Sequence, residues 1–309
     1  MLQRLNLINI IVLFLLFNTS AFAQSSVVSS KPNWEKVFGG KLFDKATDIA
    51  RMPNGDILVL GYTESFGAGD TDFYVVKTNK NGEKEWTKTF GSEGSEISRK
   101  IILTADNEAL LIGGRYTKKI RESDIFIVKI DKNGQLIWEK SYEKQPYNSA
   151  EAAVGTPDGG ILITGRIRSG REVLGNDLYI LRLDKNGDKL WEKAHQLRDN
   201  QYGTAISLTS DGGALVAGSI KPKDLGEGRA KDYADILILK IDSNGNKVWE
   251  KIYGEKRTEY VRDIAITKDD GAYVIGNTLI SGSMQKDGFI LRIDKDGQKL
   301  WELSEHLII

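Results

Sequence analysis

The sequence predicts an all-β protein, a single β-propeller of five four-stranded blades, and the tryptophan spacing is the strongest indication. All six tryptophans recur at intervals of 52, 52, 53, 58 and 52 residues: Trp34, Trp86, Trp138, Trp191, Trp249 and Trp301. A period near 50 residues is typical of propeller blades, whereas helical repeats need a helical periodicity that this chain lacks. Within each period, short runs of β-branched and aromatic residues alternate with Gly, Asn and Asp, which indicates four strands per repeat.

Two turn motifs recur five times and set the blade count. The first joins the third strand to the fourth at residues 79–82, 131–134, 184–187, 242–245 and 294–297. In these turns an Asn or Asp can cap its own turn and the closing Gly can adopt a positive φ, which predicts a type I turn with a glycine bulge. The second joins the first two strands at residues 54–55, 106–107, 158–159, 211–212 and 269–270. A calcium loop is the alternative for the first motif, but the bidentate carboxylate that completes such a loop is missing.

The amino terminus has the three-part pattern of a secretory signal peptide over residues 1–23. Arg4 precedes an apolar stretch of about 10 residues, too short to span a bilayer, and Ala21 and Ala23 suit a peptidase that cleaves after Ala23. Residues 24–309 then form the propeller, with blades at approximately 41–91, 92–143, 144–196, 197–254 and 255–305. The predicted location is secreted or periplasmic.

Composition excludes several classes of site and partner. The chain has no cysteine, so disulfides and a thioether lipid anchor are excluded, and its two histidines, His195 and His306, cannot complete a zinc site. No G-x-S-x-G motif supplies a nucleophile for a triad with His195. Because 43 basic residues balance 43 acidic ones, neither nucleic acid nor an anionic membrane surface is expected as a partner. We assign no catalytic residue, metal or cofactor, and expect no membrane insertion.

One column of oxygen-bearing residues is a candidate ligand site. Aligning the repeats on the first hairpin places these residues at the entry of each innermost strand: Asp44, Glu96, Asn148, Gln201 and Glu259. A fivefold arrangement could direct them toward the mouth of the central channel. The alternative is that each residue caps its local turn or binds channel water.

The longer connections supply the predicted binding face. They vary in length and charge at residues 62–71, 115–123, 166–176, 219–234 and 277–286, on the side opposite the tight hairpins. Function on a rigid scaffold is typical of such loops. The sequence therefore favours a non-enzymatic binding or scaffold module for an extracellular glycan or protein. A glycoside hydrolase with two carboxylates is the alternative, because the acidic residues offer many pairs.

Several motifs resemble known propeller repeats. The first repeat carries these: Phe38-Gly39-Gly40, Asp44, Asp48-Ile49-Ala50, Asn54-Gly55-Asp56 and Leu60-Gly61-Tyr62-Thr63-Glu64-Ser65. They resemble the secreted bacterial β-propeller repeat called SBBP, and the resemblance implies the fold and an extracytoplasmic location but no shared activity. That family name refers to seven blades, whereas five are found here.

The turn and tryptophan of each repeat also resemble those of quinoprotein propellers. Asp184, Gly187 and Trp191 are similar to the Asp, Gly and Trp of that repeat, in which the tryptophan docks one blade on the next. The resemblance implies that all six tryptophans are docking residues. A quinoprotein-like propeller remains a second alternative, although the turn is one residue shorter than in that family.

Closure of the ring is ambiguous in the sequence, because six segments have the form of a fourth strand and five are needed. We expect residues 299–304 to complete the last blade and residues 33–38 to pair outside it as a latching fifth strand. A latched ring would have no open sheet edge, so a monomer is expected.

Overall fold

The structure, a computed structural model, describes residues 35–116, 123–143, 147–168, 175–195, 200–221, 234–254, 258–279 and 286–305. These residues form twenty strands and no helix, which confirms the predicted all-β class; accordingly, they include no helix that could cross a membrane. The predicted signal peptide, Trp34 and His306 lie outside the described residues. The strands are β1 (Asp44–Arg51), β2 (Ile57–Thr63), β3 (Asp72–Thr78), β4 (Lys84–Phe90), β5 (Ser95–Leu103), β6 (Ala109–Tyr116), β7 (Ser123–Ile130), β8 (Leu136–Tyr142), β9 (Asn148–Gly155), β10 (Ile161–Ile167), β11 (Asp177–Leu183), β12 (Lys189–His195), β13 (Asn200–Leu208), β14 (Ala214–Lys221), β15 (Asp235–Ile241), β16 (Lys247–Tyr253), β17 (Thr258–Ile266), β18 (Ala272–Leu279), β19 (Lys286–Ile293) and β20 (Lys299–Glu305).

The strands form five antiparallel four-stranded sheets, each made of four consecutive strands in chain order. This confirms the predicted four strands per repeat and five repeats, and we call the sheets blades one to five. The first strands of successive blades pack against one another, β1 with β5, β5 with β9, β9 with β13 and β13 with β17. The first strand of each blade is therefore the innermost strand of its sheet, next to the propeller axis. Both tight hairpins of a blade lie at one end, and the strand ends that the longer connections join lie at the other.

The turn chemistry follows the prediction from the sequence. The closing glycine of each hairpin between the third and fourth strands has a positive φ of 73° to 78°. In the first of these hairpins the Gly82 amide donates to the Asn79 carbonyl at 3.0 Å, and the Asn79 side chain accepts from the Asn81 amide at 2.9 Å. The strand register shifts beside each of these turns, as expected for a glycine bulge.

An ion pair in each blade ties the first hairpin, or the residue that follows it, to the third strand. The partners are Asp56 and Lys77 at 3.0 Å, Glu108 and Lys129 at 2.6 Å, Asp158 and Arg182 at 2.5 Å, Asp211 and Lys240 at 2.8 Å, and Asp269 and Arg292 at 2.9 Å. The Thr156 hydroxyl and Arg182 lower the pKa of Asp158 to about 2. These pairs fix the hairpin end of every blade.

Four buried apolar clusters hold the described residues together, and each cluster spans two successive blades. Leu60 of blade one packs in the same cluster as Leu111 of blade two, and Ala217 of blade four shares a cluster with Val274 of blade five. Because a sheet must bury its apolar faces against a neighbour, each blade is stabilised by the next. Within the described part of the chain, no comparable cluster joins blade five to blade one.

The expected latch is not formed in the part of its segment that the structure describes. Residues 35–38 have no strand conformation, and the side chain of Val37 is 91 % exposed. The last sheet has four strands, with β20 at its outer edge. The short turn at residues 294–297 brings β20 to β19 at a small entropic cost, whereas residues 33–38 would have to close a loop of nearly the whole chain. Asn33 and Trp34 lie outside the described residues.

Candidate functional site

The predicted oxygen column lies at the entry of the innermost strands, but its side chains are turned into the protein. Glu96, Asn148, Gln201 and Glu259 are buried, and Asp44 is half-buried. The Glu96 carboxylate accepts hydrogen bonds from the Ser92 amide at 3.1 Å and from Arg115 Nε at 2.9 Å.

Two further members of the column also make local structural contacts: Asn148 joins blade three to two strands of blade two, and Asp44 joins its strand to the loop before it. Asn148 Oδ1 accepts from the Ile125 amide at 3.0 Å, and its Nδ2 donates to the Tyr142 carbonyl at 2.8 Å. Burial disfavours the charged form of Asp44, but hydrogen bonds from Thr63, Gly40 and Ser65 outweigh it and lower its pKa. These contacts support turn capping, and ligand binding by the column stays a prediction. Among the residues with described positions, no group of His, Asp and Glu could hold a metal ion.

Four tryptophans lie against the glycine turn of the following blade. A β-carbon on Gly134 would approach Cη2 of Trp86 to 2.9 Å, and one on Gly187 would approach Cη2 of Trp138 to 2.8 Å. Trp191 and Trp249 stand in the same relation to Gly245 and Gly297. Trp301 differs, because it is 42 % exposed and packs on Tyr273 of its own blade at a ring distance of 5.9 Å.

His195, the histidine considered for a catalytic triad, lies at one of these junctions. It ends β12 opposite Leu178, the position that Tyr142 and Tyr253 occupy in the neighbouring blades. The two tyrosine hydroxyls donate to the carbonyls of Gly187 and Gly297 at 2.6 Å. Burial lowers the pKa of His195, and the Lys247 and Lys193 ammonium groups add to the effect. The position indicates a structural role.

We expect the His195→Tyr variant to lose less stability than the parent protein between pH 7.5 and 5.5. Because the folded-state pKa of His195 is lowered, the unfolded chain binds more protons, so the contribution of this residue is lost as pH falls through the unfolded pKa. A tyrosine does not titrate there and can donate to the Gly245 carbonyl. Urea titrations at several pH values measure the difference, and His306→Gln is the matched control. Parallel pH profiles for H195Y and the parent protein would contradict the assignment.

The described residues also contain a polar group that the sequence did not reveal, which we call the arginine–tyrosine cluster. It extends from the loop end of blades two to five to the middle of their first strands, where Arg99, Glu151 and Arg262 lie, and comprises Tyr116, Tyr147, Tyr202, Tyr260, Arg99, Arg166, Arg168, Arg262 and Glu151. Arg166 Nη2 donates to the Tyr147 hydroxyl at 3.1 Å, and its guanidinium lies 5.5 Å from the centre of that ring. Arg168 lies 5.8 Å from the same ring.

A carboxylate and a serine hold the arginines in place. Glu151 Oε2 lies 3.4 Å from Arg99 Nε, and its Oε1 lies 3.8 Å from Arg166 Nε. Arg166 Nε donates to the Ser149 hydroxyl at 3.3 Å, and that hydroxyl is 3.2 Å from Glu151. The side chains of Arg99 and Arg166 are each 35 % exposed, so their guanidinium groups are fixed but reachable from solvent.

The cluster continues across blades four and five. Tyr202 is half-buried and lies within electrostatic range of Arg166, Arg262 and Tyr260. Arg262 Nε donates to Asn277 Oδ1 at 2.9 Å. Burial raises the pKa of Tyr202, and burial with the nearby Tyr147 hydroxyl raises that of Tyr116 to about 12. The hydroxyls of Tyr202 and Tyr116 therefore stay protonated at neutral pH and can both donate and accept hydrogen bonds.

The charges of the cluster suit an anionic ligand with a flat apolar surface. Four guanidinium groups are accompanied by one carboxylate, Glu151, so the cluster is positively charged although the whole chain has a formal net charge of zero. Guanidinium groups pair with carboxylate or sulfate oxygens, and tyrosine rings contact apolar faces of a ligand. The described residues thus form a positively charged and partly exposed surface.

Comparison with known proteins establishes the fold. No family model matches the sequence, and no curated protein matches it. The WD40 domain of Pan2 from Neurospora crassa aligns with a TM-score of 0.54 at 9 % identity, over 84 % of this chain and 66 % of that one. The fold is that of a β-propeller.

Two other structures have a similar shape. A Dyadobacter fermentans protein of unknown function aligns with a TM-score of 0.53 at 12 % identity, over 87 % of this chain and 85 % of that one. A puromycin hydrolase aligns with a TM-score of 0.50 at 12 % identity, over 83 % of this chain and 37 % of that one. At such identities the likeness shows the fold alone, and the SBBP-type and quinoprotein-like resemblances stay predictions.

Proposed function

We propose that this protein is an exported, non-enzymatic binding module whose loop face holds an acidic glycan. The arginine–tyrosine cluster is the observation that carries the proposal. Its arginines can pair with the carboxylates of uronic acid units or with sulfate groups, while its tyrosines stack against sugar rings. Export is part of the proposal and is supported by the signal-peptide pattern of residues 1–23.

The position of the cluster supports binding at the loop end. Arg166 and Arg168 stand at the end of the second strand of blade three, and Tyr147 immediately precedes its first strand. The first two strands of blade three, or the residues next to them, therefore carry these groups on a fixed sheet. This arrangement is typical of propellers and other scaffolds that bind ligands through loops on a fixed frame.

We expect the protein to bind oligogalacturonate more tightly than the uncharged oligosaccharide of the same length. Replacing Arg166 by alanine should weaken binding by about tenfold, the effect of losing about 1.4 kcal/mol from one charge-assisted hydrogen bond. Isothermal titration calorimetry measures both ligands. Lys185→Ala is the matched control, because it removes one exposed cation from a hairpin at the opposite end.

The same samples separate binding from glycoside hydrolysis. Release of new reducing ends during incubation would favour the carboxylate glycoside hydrolase. Equal affinities for the charged and neutral oligosaccharides, or an unchanged affinity in the Arg166→Ala variant, would contradict the proposed site.

A further inference from the structure

The first blade exposes an apolar surface that is buried in each of the four remaining blades. Ile49 of β1 is 62 % exposed, whereas its counterparts in the next four blades are at most 4 % exposed: Ile101, Ala153, Ile206 and Ile264. Phe66, which is 45 % exposed, packs on Tyr74 of the same blade at a ring distance of 5.6 Å. We call the side of blade one that faces away from blade two the first end face.

The last blade exposes the complementary surface. Ile275 of β18 is 36 % exposed, whereas its counterparts in the first four blades are fully buried: Leu60, Ile112, Thr164 and Ala217. Trp301 and half-buried Tyr273 lie on the same sheet. We call the side of blade five that faces away from blade four the last end face.

The two end faces are the two halves of a contact that the protein already makes between its own blades. Leu60 shares a buried cluster with Ile101, Ile112 with Ala153, and Ala217 with Ile264. The positions of Ile275 and Ile49 thus correspond to residues that pack in the same cluster in three inner junctions. Both are exposed in the same molecule, so the described chain does not bring them together.

One hydrogen bond of the first junction also has its counterpart at the ends. The Asp48 carboxylate accepts a hydrogen bond from the Ile101 amide at 3.0 Å and pairs with Lys100 at 2.9 Å. Blade five has Asp263 at the position of Asp48, and it is exposed. If blade five docked on a blade one, Asp263 would stand opposite the Ile49 amide, as Asp48 stands opposite the Ile101 amide. The ion pair of the first junction has no counterpart at the ends, because blade one has Asp48 at the position of Lys100, and the Asp48 carboxylate already pairs with Lys100.

We propose that the last end face of one molecule docks on the first end face of a second copy of this chain. The contact is head-to-tail, because the two surfaces that meet are different, and it repeats the packing of the inner junctions. Exposed apolar surface of this kind marks a protein interface. The monomer expected from the sequence assumed a latched ring, which the described residues do not form.

Complementation between two variants tests the proposal in the full mature chain. Ile49→Asp should block the first end face and Ile275→Asp the last, so each variant alone should be monomeric while the parent protein associates. An equimolar mixture should give a dimer and nothing larger, because one intact face remains on each variant. Light scattering after size-exclusion chromatography, up to about 100 μM protein, covers the micromolar dissociation constants of weak interfaces. Ile252→Asp on β16, where the parent side chain is 51 % exposed, is the control and should associate normally.

Disulfide trapping distinguishes a second copy from closure within one chain. The chain has no cysteine, so every bridge in an Ile49→Cys, Ile275→Cys double variant joins engineered positions, and the two single-cysteine variants show how much 49–49 and 275–275 bridging occurs. We expect disulfide-linked dimers and larger species on a non-reducing gel. A parent protein that is monomeric at every concentration, or a bridge confined to the monomer band, would overturn the proposal.

Discussion

The Trp138→Ala variant should lose about 3 kcal/mol of unfolding free energy, the lower end of the range for removing a large aromatic side chain from a core. The indole packs on the cluster shared by blades two and three and lies against the Gly187 turn. That turn has a φ of 78° at Gly187 and cannot move in to fill the cavity without breaking its own hydrogen bonds. The midpoint and slope of a urea titration measure the loss.

Trp301→Ala is the matched control for this prediction. Trp301 has the same place in its repeat but is 42 % exposed and lies on a blade with no packed successor among the described residues. Its loss should therefore be below about 1 kcal/mol, since less apolar surface returns to water. Equal losses for the two variants would mean that blade five is docked as the inner blades are.

Glu96→Ala should also destabilise the fold strongly, by about 3 kcal/mol. The carboxylate is fully buried, and its removal leaves Arg115 Nε and the Ser92 amide and hydroxyl without their acceptor. Loss of one partner from a buried pair typically costs 3–5 kcal/mol, and the partial exposure of Arg115 places this case at the lower end. The guanidinium of Arg115 also lies 3.7 Å from the centre of the Phe126 ring, so it is not free to turn toward solvent.

A second acid on the same guanidinium provides the comparison. Glu139 lies 3.7 Å from Arg115 Nη2, but its side chain is 43 % exposed. Glu139→Ala should therefore change stability by less than about 1 kcal/mol, as is usual for surface ion pairs. If thermal and urea unfolding gave similar losses for both variants, the capping role of Glu96 would be wrong.

The blades could be predicted from the sequence because their local chemistry is repeated. The Asn or Asp at the start of each turn, the closing glycine and the bulge follow from backbone geometry that needs no distant partner. The relation of blade five to blade one is different. It depends on the angle between packed sheets, which is set by side chains such as Ile49 and Ile275 and has no local sequence signal.

The arginine–tyrosine cluster was missed for a related reason. Alignment of the repeats draws attention to positions with similar residues in every blade, such as the oxygen column that contains Glu96 and Asn148. These two residues have structural roles. Tyr147, Arg166 and Tyr202 stand where the repeats differ from one another, so no column contains them. Positions at which the repeats diverge are not fixed by the packing that all blades share. This divergence was the sequence signal that could have indicated the cluster.

The location of the four apolar clusters gives the molecule an uneven resistance to local opening. Each inner blade is held by two clusters and each outer blade by one. Detaching blade one or blade five therefore gives up a single cluster, while detaching blade three gives up two. Opening should begin at the two ends and move inward, so blade three keeps its geometry longest. Blade three carries Arg166 in β10 and Tyr147 immediately before β9.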